Sequence, residues 1–144
     1  MNEIIIKNYK EMTADVNSKG ENSFLVKTVI PNEFSDKCYV NFVEVEPGNF
    51  AYGYHYHEEN EEVFYIISGE ASVKTEAGEK LLKAGDIICF PANEKGSHVI
   101  ANASKTEKLV YIDFGTANRP DIVHFTGTNA GMAISKSGIY NFTK

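Results

Sequence analysis

Features that mark several functional classes are scarce in this 144-residue sequence. No run approaches the ~20 consecutive apolar residues of a membrane-spanning helix, and the apolar stretch near the amino terminus is too short and wrongly charged for a signal peptide. A net charge of -6 without a basic stripe argues against nucleic acid or an anionic membrane as a partner. We therefore expect a cytoplasmic protein with a single domain over residues 1–144, because a chain of this size can bury one core.

Cysteine and arginine are also rare. The two cysteines, Cys38 and Cys89, lie in apolar segments, so we expect buried, unreactive thiols; a ligating role is the less favoured alternative. Arg119 is the only arginine and follows the segments that carry the motifs below. Because arginine commonly clamps carboxylates and phosphates, its position makes phosphorylated sugars and dicarboxylates less attractive as substrates, although Lys74 or Lys83 could substitute.

Short apolar or alternating runs, separated by turn signals, cover most of the chain. They predict β-strands at residues 23–30, 39–46, 50–57, 62–67, 71–75, 80–83, 86–90, 98–101 and 109–114. Many short strands at this spacing are typical of a barrel or a sandwich. Residues 7–19 could form a short helix or an irregular arm. Residues 120–144 are rich in glycine, threonine, serine and asparagine, which predicts a loose tail with one strand at 122–125.

Three histidines and a glutamate occur at spacings that suit a metal site. His55 and His57 are two positions apart in a predicted strand, so their side chains project from the same face. Glu62 opens the next strand after a polar loop, and His98 begins a later one. A lone pair of histidines is more often structural, so the whole arrangement carries the argument. It runs G-x6-H-x-H-x4-E-x6-G from Gly48 to Gly69 and G-x5-P-x4-G-x-H-x3-N from Gly85 to Asn102.

These two motifs resemble the signatures of the cupin superfamily, and the overall pattern is similar to small single-domain cupins of uncharacterised function. The resemblance is specific over residues 48–102 and extends over about 38–115. One departure is a longer loop between Pro91 and His98 than the usual P-x-G-x-x-H. The resemblance implies an all-β fold, a double-stranded β-helix or jelly-roll barrel with short terminal extensions. It also implies a divalent metal held by His55, His57, Glu62 and His98.

The strand faces around the histidines indicate a cavity. Ala51 and Gly53 share the histidine face, where small side chains would leave space above the metal or merely accommodate a bulky neighbour. Phe64 and Ile66 share a strand face with Glu62, and Ile100 and Asn102 share one with His98, which predicts a mostly apolar lining for the cavity. The opposite face of the histidine strand carries an aromatic row of Phe50, Tyr52, Tyr54 and Tyr56. Val63, Tyr65 and Ile67 of the next predicted strand could adjoin this row. Such a row is too apolar to be left exposed to water, so we expect a two-fold homodimer that buries it. Alternatively, the amino-terminal strands of the same chain could cover it.

The proposed ligand set suits one Fe, Mn, Ni, Co or Zn ion per chain, without selecting among them. Four protein ligands around a six-coordinate ion leave two positions for water, substrate or dioxygen, as in catalytic sites. The leading hypothesis is an oxygenase-like or isomerase-like enzyme acting on a small, largely uncharged organic molecule. The alternative is a non-catalytic module that binds or senses a small molecule, because fold does not fix function. A storage-type barrel without metal is disfavoured by the intact ligand set.

An acid or base in the cavity, beyond the ligands, would favour an enzyme. Tyr111 and Asp113 are candidates on one strand face, but the alternate residues of that strand look more core-like, which leaves the direction of the face open. His124 is a further candidate, although a lone histidine in such a strand is more often on the surface.

Overall fold

The computed structural model describes residues 1–31 and 35–144. Within them lie thirteen strands: β1 Asp15–Lys19, β2 Asn22–Ile30, β3 Cys38–Val45, β4 Phe50–His57, β5 Glu62–Ser68, β6 Glu70–Thr75, β7 Gly78–Lys83, β8 Ile87–Phe90, β9 His98–Asn102, β10 Leu109–Thr116, β11 Asp121–Phe125, β12 Ala130–Ser135 and β13 Gly138–Thr143. Short 3-10 helices occur at Tyr9–Glu11 and Glu94–Gly96. None of the helices in these ranges is long and apolar enough to cross a membrane.

The strands form two antiparallel sheets around one apolar core. The first sheet has the order β1-β2-β3-β10-β5-β8, and the second has the order β13-β12-β11-β4-β9-β6-β7. Alternate residues of both sheets point inward, as the period of a strand requires. They form a core that includes Val43, Val45, Phe64, Ile66, Ala71, Val73, Ile100, Leu109 and Tyr111. The all-β, double-stranded β-helix fold expected from the sequence is confirmed.

The amino-terminal segment combines a 3-10 helix and an edge strand. Strand β1 escapes prediction because all five of its residues are exposed and show no apolar alternation. It pairs with β2 through a tight turn that contains Gly20 in the left-handed region, at φ 63°. The helix is held to the first sheet by Tyr9, whose hydroxyl donates to the Glu44 carboxylate at 2.5 Å. Residues 7–19 therefore contain a single helical turn, but neither alternative included the strand at Asp15–Lys19.

The prediction of a loose carboxyl-terminal tail is wrong. Strands β11, β12 and β13 extend the second sheet beyond β4, where His124 pairs with Tyr56. The glycine and small polar residues are divided between the connecting turns, for instance Gly127 with φ 80°, and the strands themselves. Apolar side chains occur on both faces of the hairpin: Met132 and Ile134 line a cavity, whereas the ring of Phe142 lies beside His124 on the other face. Composition alone hid the strands because their apolar side chains contact these two surfaces and not the main core.

Two expectations about buried or covered surfaces also fail. Cys89 is exposed and Cys38 is half-buried, because Cys89 alternates with the inward-facing Ile88 and Phe90 on an edge strand. The aromatic row of β4 does not adjoin Tyr65 and its neighbours, since β4 and β5 belong to different sheets. Any apolar surface available to a partner is therefore divided between two faces of the molecule.

Candidate metal centre

Three strands bring the four predicted ligands to one end of the core. His55 and His57 project from β4, and His98 begins β9 directly opposite His55. Glu62 begins β5 in the facing sheet. His55, Glu62 and His98 are buried, and the side chain of His57 is only 12% exposed. The structure therefore brings together every residue that the sequence motifs select.

The histidine Nε2 atoms converge on a single carboxylate oxygen. The distances to Glu62 Oε2 are 3.8 Å from His55, 3.6 Å from His57 and 3.2 Å from His98. Ligand atoms of His55, Glu62 and His98 all lie within 4.8 Å of one another. His57 approaches the same oxygen from beside His55, with the two rings 5.3 Å apart. His55, Glu62 and His98 thus form a group with the spacing of metal ligands, and His57 lies beside this group, within reach of the same carboxylate oxygen.

Hydrogen bonds from Nδ1 fix the tautomers of His55 and His98. Nδ1 of His55 donates to the Gly53 carbonyl at 2.7 Å, and Nδ1 of His98 donates to the Gly96 carbonyl at 2.8 Å. A carbonyl can only accept, so these Nδ1 atoms carry the proton and the Nε2 atoms present a lone pair. This arrangement orients imidazoles as metal ligands.

Two atoms at the centre of the cluster lack a hydrogen-bond partner. Glu62 Oε2 and His98 Nε2 are both buried, and no residue of the described ranges satisfies them. A buried polar atom without a partner costs about 1–3 kcal/mol. A divalent cation at the centre would satisfy both atoms, and a set of three imidazoles with one carboxylate suits a transition metal. The residues present therefore fit a metal ion.

Asp121 is a functional residue that the sequence motifs miss. It is fully buried at the start of β11, and its Oδ2 lies 2.6 Å from His57 Nδ1. It also accepts hydrogen bonds from the Glu59 amide at 3.0 Å and the Asn60 side chain at 2.9 Å. A carboxylate behind a ligating imidazole raises its basicity and holds its ring in place. The only sequence signal is an acidic residue at the head of an apolar run.

The longer loop of the second motif folds back over the end of β4. Asn93 adopts φ 74°, and its amide donates to the His57 carbonyl at 2.6 Å. Any side chain at Gly96 would collide with the carbonyl of Pro91, so the close return requires glycine. The 3-10 turn that follows delivers His98 to the cluster. The departure from the usual motif spacing leaves the ligand in place.

Burial and the neighbouring charges set the protonation of the cluster. Burial lowers the pKa of His55 to about 4. Burial opposes ionisation of Glu62 as well, but its three histidine neighbours outweigh this effect and hold its pKa below the usual range. For His57, the hydrogen bond to Asp121 and the charge of Glu62 outweigh burial and raise the pKa. A neutral His55 and an ionised Glu62 are the forms that bind a metal.

A cavity of about 360 Å³ opens onto the cluster. Its wall includes His55, His57 and Glu62, whereas His98 lies behind them. The polar part of the wall includes Tyr39, Asn41, Asn60 and Asp113, and the apolar part comes from β11 to β13 through Val123, Phe125, Met132, Ile134 and Ile139. The predicted lining by Phe64, Ile66 and Ile100 is wrong, because these side chains belong to the core beneath the cluster. The carboxyl-terminal strands, and not the motif strands, give the cavity its apolar wall.

A bulge in β4 changes which of its residues face the cavity. The register of β4 against β9 shifts between Ala51 and His55, and Tyr52 adopts φ 58°. Gly53 and Tyr52 line the cavity, while Ala51 is buried in the core. The expectation that Tyr52 points outward and that Ala51 leaves space above the metal is therefore wrong. A bulge interrupts the simple alternation on which both expectations depend.

The remaining candidates separate into cavity, core and surface residues. Asp113 lines the cavity, and its buried Oδ1 has no hydrogen-bond partner among the residues described. Tyr111 lies on the same inward face but is fully buried in the core. His124 contacts Glu58 at 2.6 Å and stacks on Tyr56 outside the cavity. Arg119 lines the cavity, which removes the sequence argument against anionic substrates.

Comparison with known proteins places this fold and cluster in a family. Residues 41–115 match the family model described as Cupin domain. The chain belongs to the cupin family. No curated protein matches the sequence of this cupin.

Solved structures similar to this cupin carry several different activities in their names. A sugar phosphate isomerase from a cupin superfamily of Silicibacter pomeroyi superposes with a TM-score of 0.78 at 19% identity, covering 95% of this chain and 91% of that one. The polyketide cyclase RemF from Streptomyces resistomycificus gives 0.71 at 17% identity, with 86% of each chain covered. A predicted oxalate decarboxylase from Thermotoga maritima gives 0.68 at 22% identity, covering 79% and 98%. At these identities the similarity shows a shared fold.

Proposed function

We propose that this cupin is a metal-dependent enzyme that transforms a small organic molecule bound in the cavity. His55, His57, Glu62 and His98 would hold one divalent transition metal, which supplies Lewis-acid or oxygen-activating chemistry when bound. The cavity volume of about 360 Å³ suits a small molecule and not a polymer. The observation that carries the proposal is Asp113, a carboxyl group in the cavity wall beyond the ligand set.

Asp113 has the environment of a proton-transfer group. Burial, together with the charge of Glu62, raises the pKa of Asp113 well above its ordinary value. Its Oδ1 has no partner in the described part of the chain, so this oxygen is available to a bound molecule. Perturbed carboxyl groups in clefts are typical of acid–base catalysis.

Tyr39 connects the ligand set to this wall of the cavity. Its hydroxyl donates to Oε1 of Glu62 at 2.6 Å, which leaves Oε2 directed at the three imidazoles. Burial and the charges of Glu62 and Asp113 raise the pKa of Tyr39, so the phenol keeps its proton. Tyr39 therefore positions Glu62 and does not compete with Asp113 as a base.

Asp113→Asn is the substitution that tests the proposal. The parent and variant proteins, reconstituted with Fe(II) or Mn(II), would be incubated with the small-molecule fraction of a cell extract. Oxygen consumption reports an oxygenase, and proton NMR in D2O reports isomerase-like exchange at carbon. We expect turnover in the parent and a loss of about 100-fold or more in the variant, with metal content unchanged.

The same experiment separates the enzyme from the alternative function. Small molecules that bind to the parent without any chemical change would support a binding or sensor module. Full turnover in Asp113→Asn would remove Asp113 from the mechanism and with it the observation that carries the proposal. The isomerase, cyclase and decarboxylase names of similar structures agree with an enzyme on this fold but do not select a reaction.

A further inference from the structure

Arg119 gives the cavity a cationic side chain outside the ligand set. It is the only arginine of the chain, and it lies half-buried in the segment between β10 and β11. Among the described residues that line the cavity there is no lysine. Within the described part of the chain, Arg119 is thus the one basic side chain, apart from the histidines, with access to a bound molecule.

Among the residues that the structure describes, this guanidinium has no internal partner. Over residues 1–31 and 35–144, the ion pairs involve histidines and lysines, and none involves Arg119. The two carboxyl groups in the same wall, Glu62 and Asp113, do not pair with it. A guanidinium has five N–H donors in a planar fork. In this wall those donors remain available to a ligand.

An apolar wall accompanies this charge. Met132 and Ile134 on β12 and Ile139 on β13 line the same cavity, and Ile134 pairs with Ile139 in the hairpin. Ile139 is also exposed at its edge. The cavity therefore combines the metal cluster, one guanidinium and an apolar surface. A molecule that matches all three has an anionic group and a hydrocarbon portion.

We propose that Arg119 binds the anionic group, a carboxylate or a phosphate, of a small organic ligand whose apolar portion packs against Met132, Ile134 and Ile139. Two parallel N–H groups of a guanidinium match two oxygens of either anion. This proposal rests on the proposed function in one respect: it places the ligand over the same metal cluster.

Binding of three simple probes tests the assignment. Heptanoate, n-hexyl phosphate and hexan-1-ol carry the same six-carbon alkyl chain and differ in their polar group, and calorimetry would measure their affinity for the metal-loaded protein. We expect Arg119→Leu to weaken the preferred anion at least tenfold and to leave hexan-1-ol unchanged. Ile139→Ser should weaken the anion and the alcohol together. Lys136→Leu, which removes a positive charge from an exposed position, is the matched control.

The outcomes separate this proposal from the proposed function. Equal anion binding by the parent and Arg119→Leu, or no binding of either anion to the parent, would overturn it. An anion that binds through the metal would lose its affinity on chelation and be insensitive to Arg119→Leu. Arg119→Lys keeps the charge without the planar fork, so it should fold and retain an intermediate affinity. Loss of anion binding with full metal content supports the subsite, whatever the turnover assay of Asp113→Asn shows.

Discussion

The imidazole Nδ1 of His57 lies 2.6 Å from Oδ2 of Asp121, although the two residues are 64 positions apart. This contact joins His57, the second histidine of the first motif, to the carboxyl-terminal strands that build the cavity wall. Asp121 is itself fixed by the Glu59 amide and the Asn60 side chain. The orientation of one ligand therefore depends on the segment that composition marks as a loose tail.

Asp121→Asn should weaken the metal site without unfolding the protein. The amide keeps an oxygen that can accept from His57 but loses the negative charge that makes the imidazole basic. We expect metal affinity to fall roughly 10–100-fold, measured by competition with a chromophoric chelator. Asp36→Asn, at an exposed carboxylate, should leave the affinity unchanged. Equal affinity in Asp121→Asn and the parent would show that this contact plays no part in metal binding.

Removal of both β4 histidines should abolish metal binding. The parent, reconstituted and desalted, should carry close to one divalent metal per chain by elemental analysis. His55→Ala with His57→Ala removes two of the three nitrogens that face Glu62 Oε2. His124→Ala, which removes an imidazole outside the cavity, is the control and should keep its metal. Full metal content in the double variant would contradict the assignment of His55 and His57 as metal ligands.

The histidines of the metal-free protein should take up protons in a defined order. The hydrogen bond to Asp121 and the charge of Glu62 raise the pKa of His57 above its ordinary value of 6.5, so His57 should be protonated before His55 as the pH falls. Burial holds the pKa of His55 near 4, below its unfolded value of 6.5. The neutral form of His55 therefore stabilises the fold above pH 6.5, and this contribution is lost as the pH falls towards 4. NMR titration of the ring signals checks the order, and protonation of His55 before His57 would contradict it.

An open coordination site should respond to a small exogenous ligand. The Co(II)-substituted protein should change its visible spectrum on addition of azide, because azide can take a position that the protein leaves free. Gly53→Leu should weaken this response with metal content largely intact, since a side chain at Gly53 would extend towards Phe125 in the cavity. An unaltered spectrum of the metal-loaded parent would instead favour a closed, structural site.

We propose that the protein forms a two-fold homodimer through the outer face of the first sheet. Tyr65, Ile67, Ile87 and Phe114 lie on neighbouring strands of this face and are 39–62% exposed. The β4 row is less available, because Tyr56 stacks on His124 and Lys74 covers Tyr54. A contiguous apolar face of this kind is uncommon on a monomer.

Light scattering at micromolar concentration tests this assembly. We expect a mass near twice the 16.0 kDa of one chain. Tyr65→Lys with Phe114→Lys should reduce the mass to that of a monomer, because charge on this face opposes its burial. Leu81→Lys, at an exposed position of the second sheet, should leave the mass unchanged. A monomeric mass for the parent would count decisively against the dimer.

Local sequence patterns are sufficient to predict most strands of the barrel core, together with Glu62 and the three histidines that approach its Oε2. Both follow from local patterns: alternation sets the inward face of a strand, and His55 and His57 share such a face because they are two positions apart. His98 and Glu62 are specified by the spacing of two motifs that resemble a known family. These features need only short-range geometry and a recognisable arrangement of residue types.

The residues that surround those ligands follow from long-range packing, which the local patterns do not predict. Asp121 and Arg119 reach the site because β11 pairs with β4, a contact between segments more than 60 residues apart that no local period encodes. Tyr52 turns into the cavity because a bulge breaks the alternation of β4. Asp113 and Tyr111 share one face, yet only chain packing places the first in the cavity and the second in the core. Local sequence patterns thus specify the ligand set, whereas the chemistry of the cavity depends on long-range strand pairing.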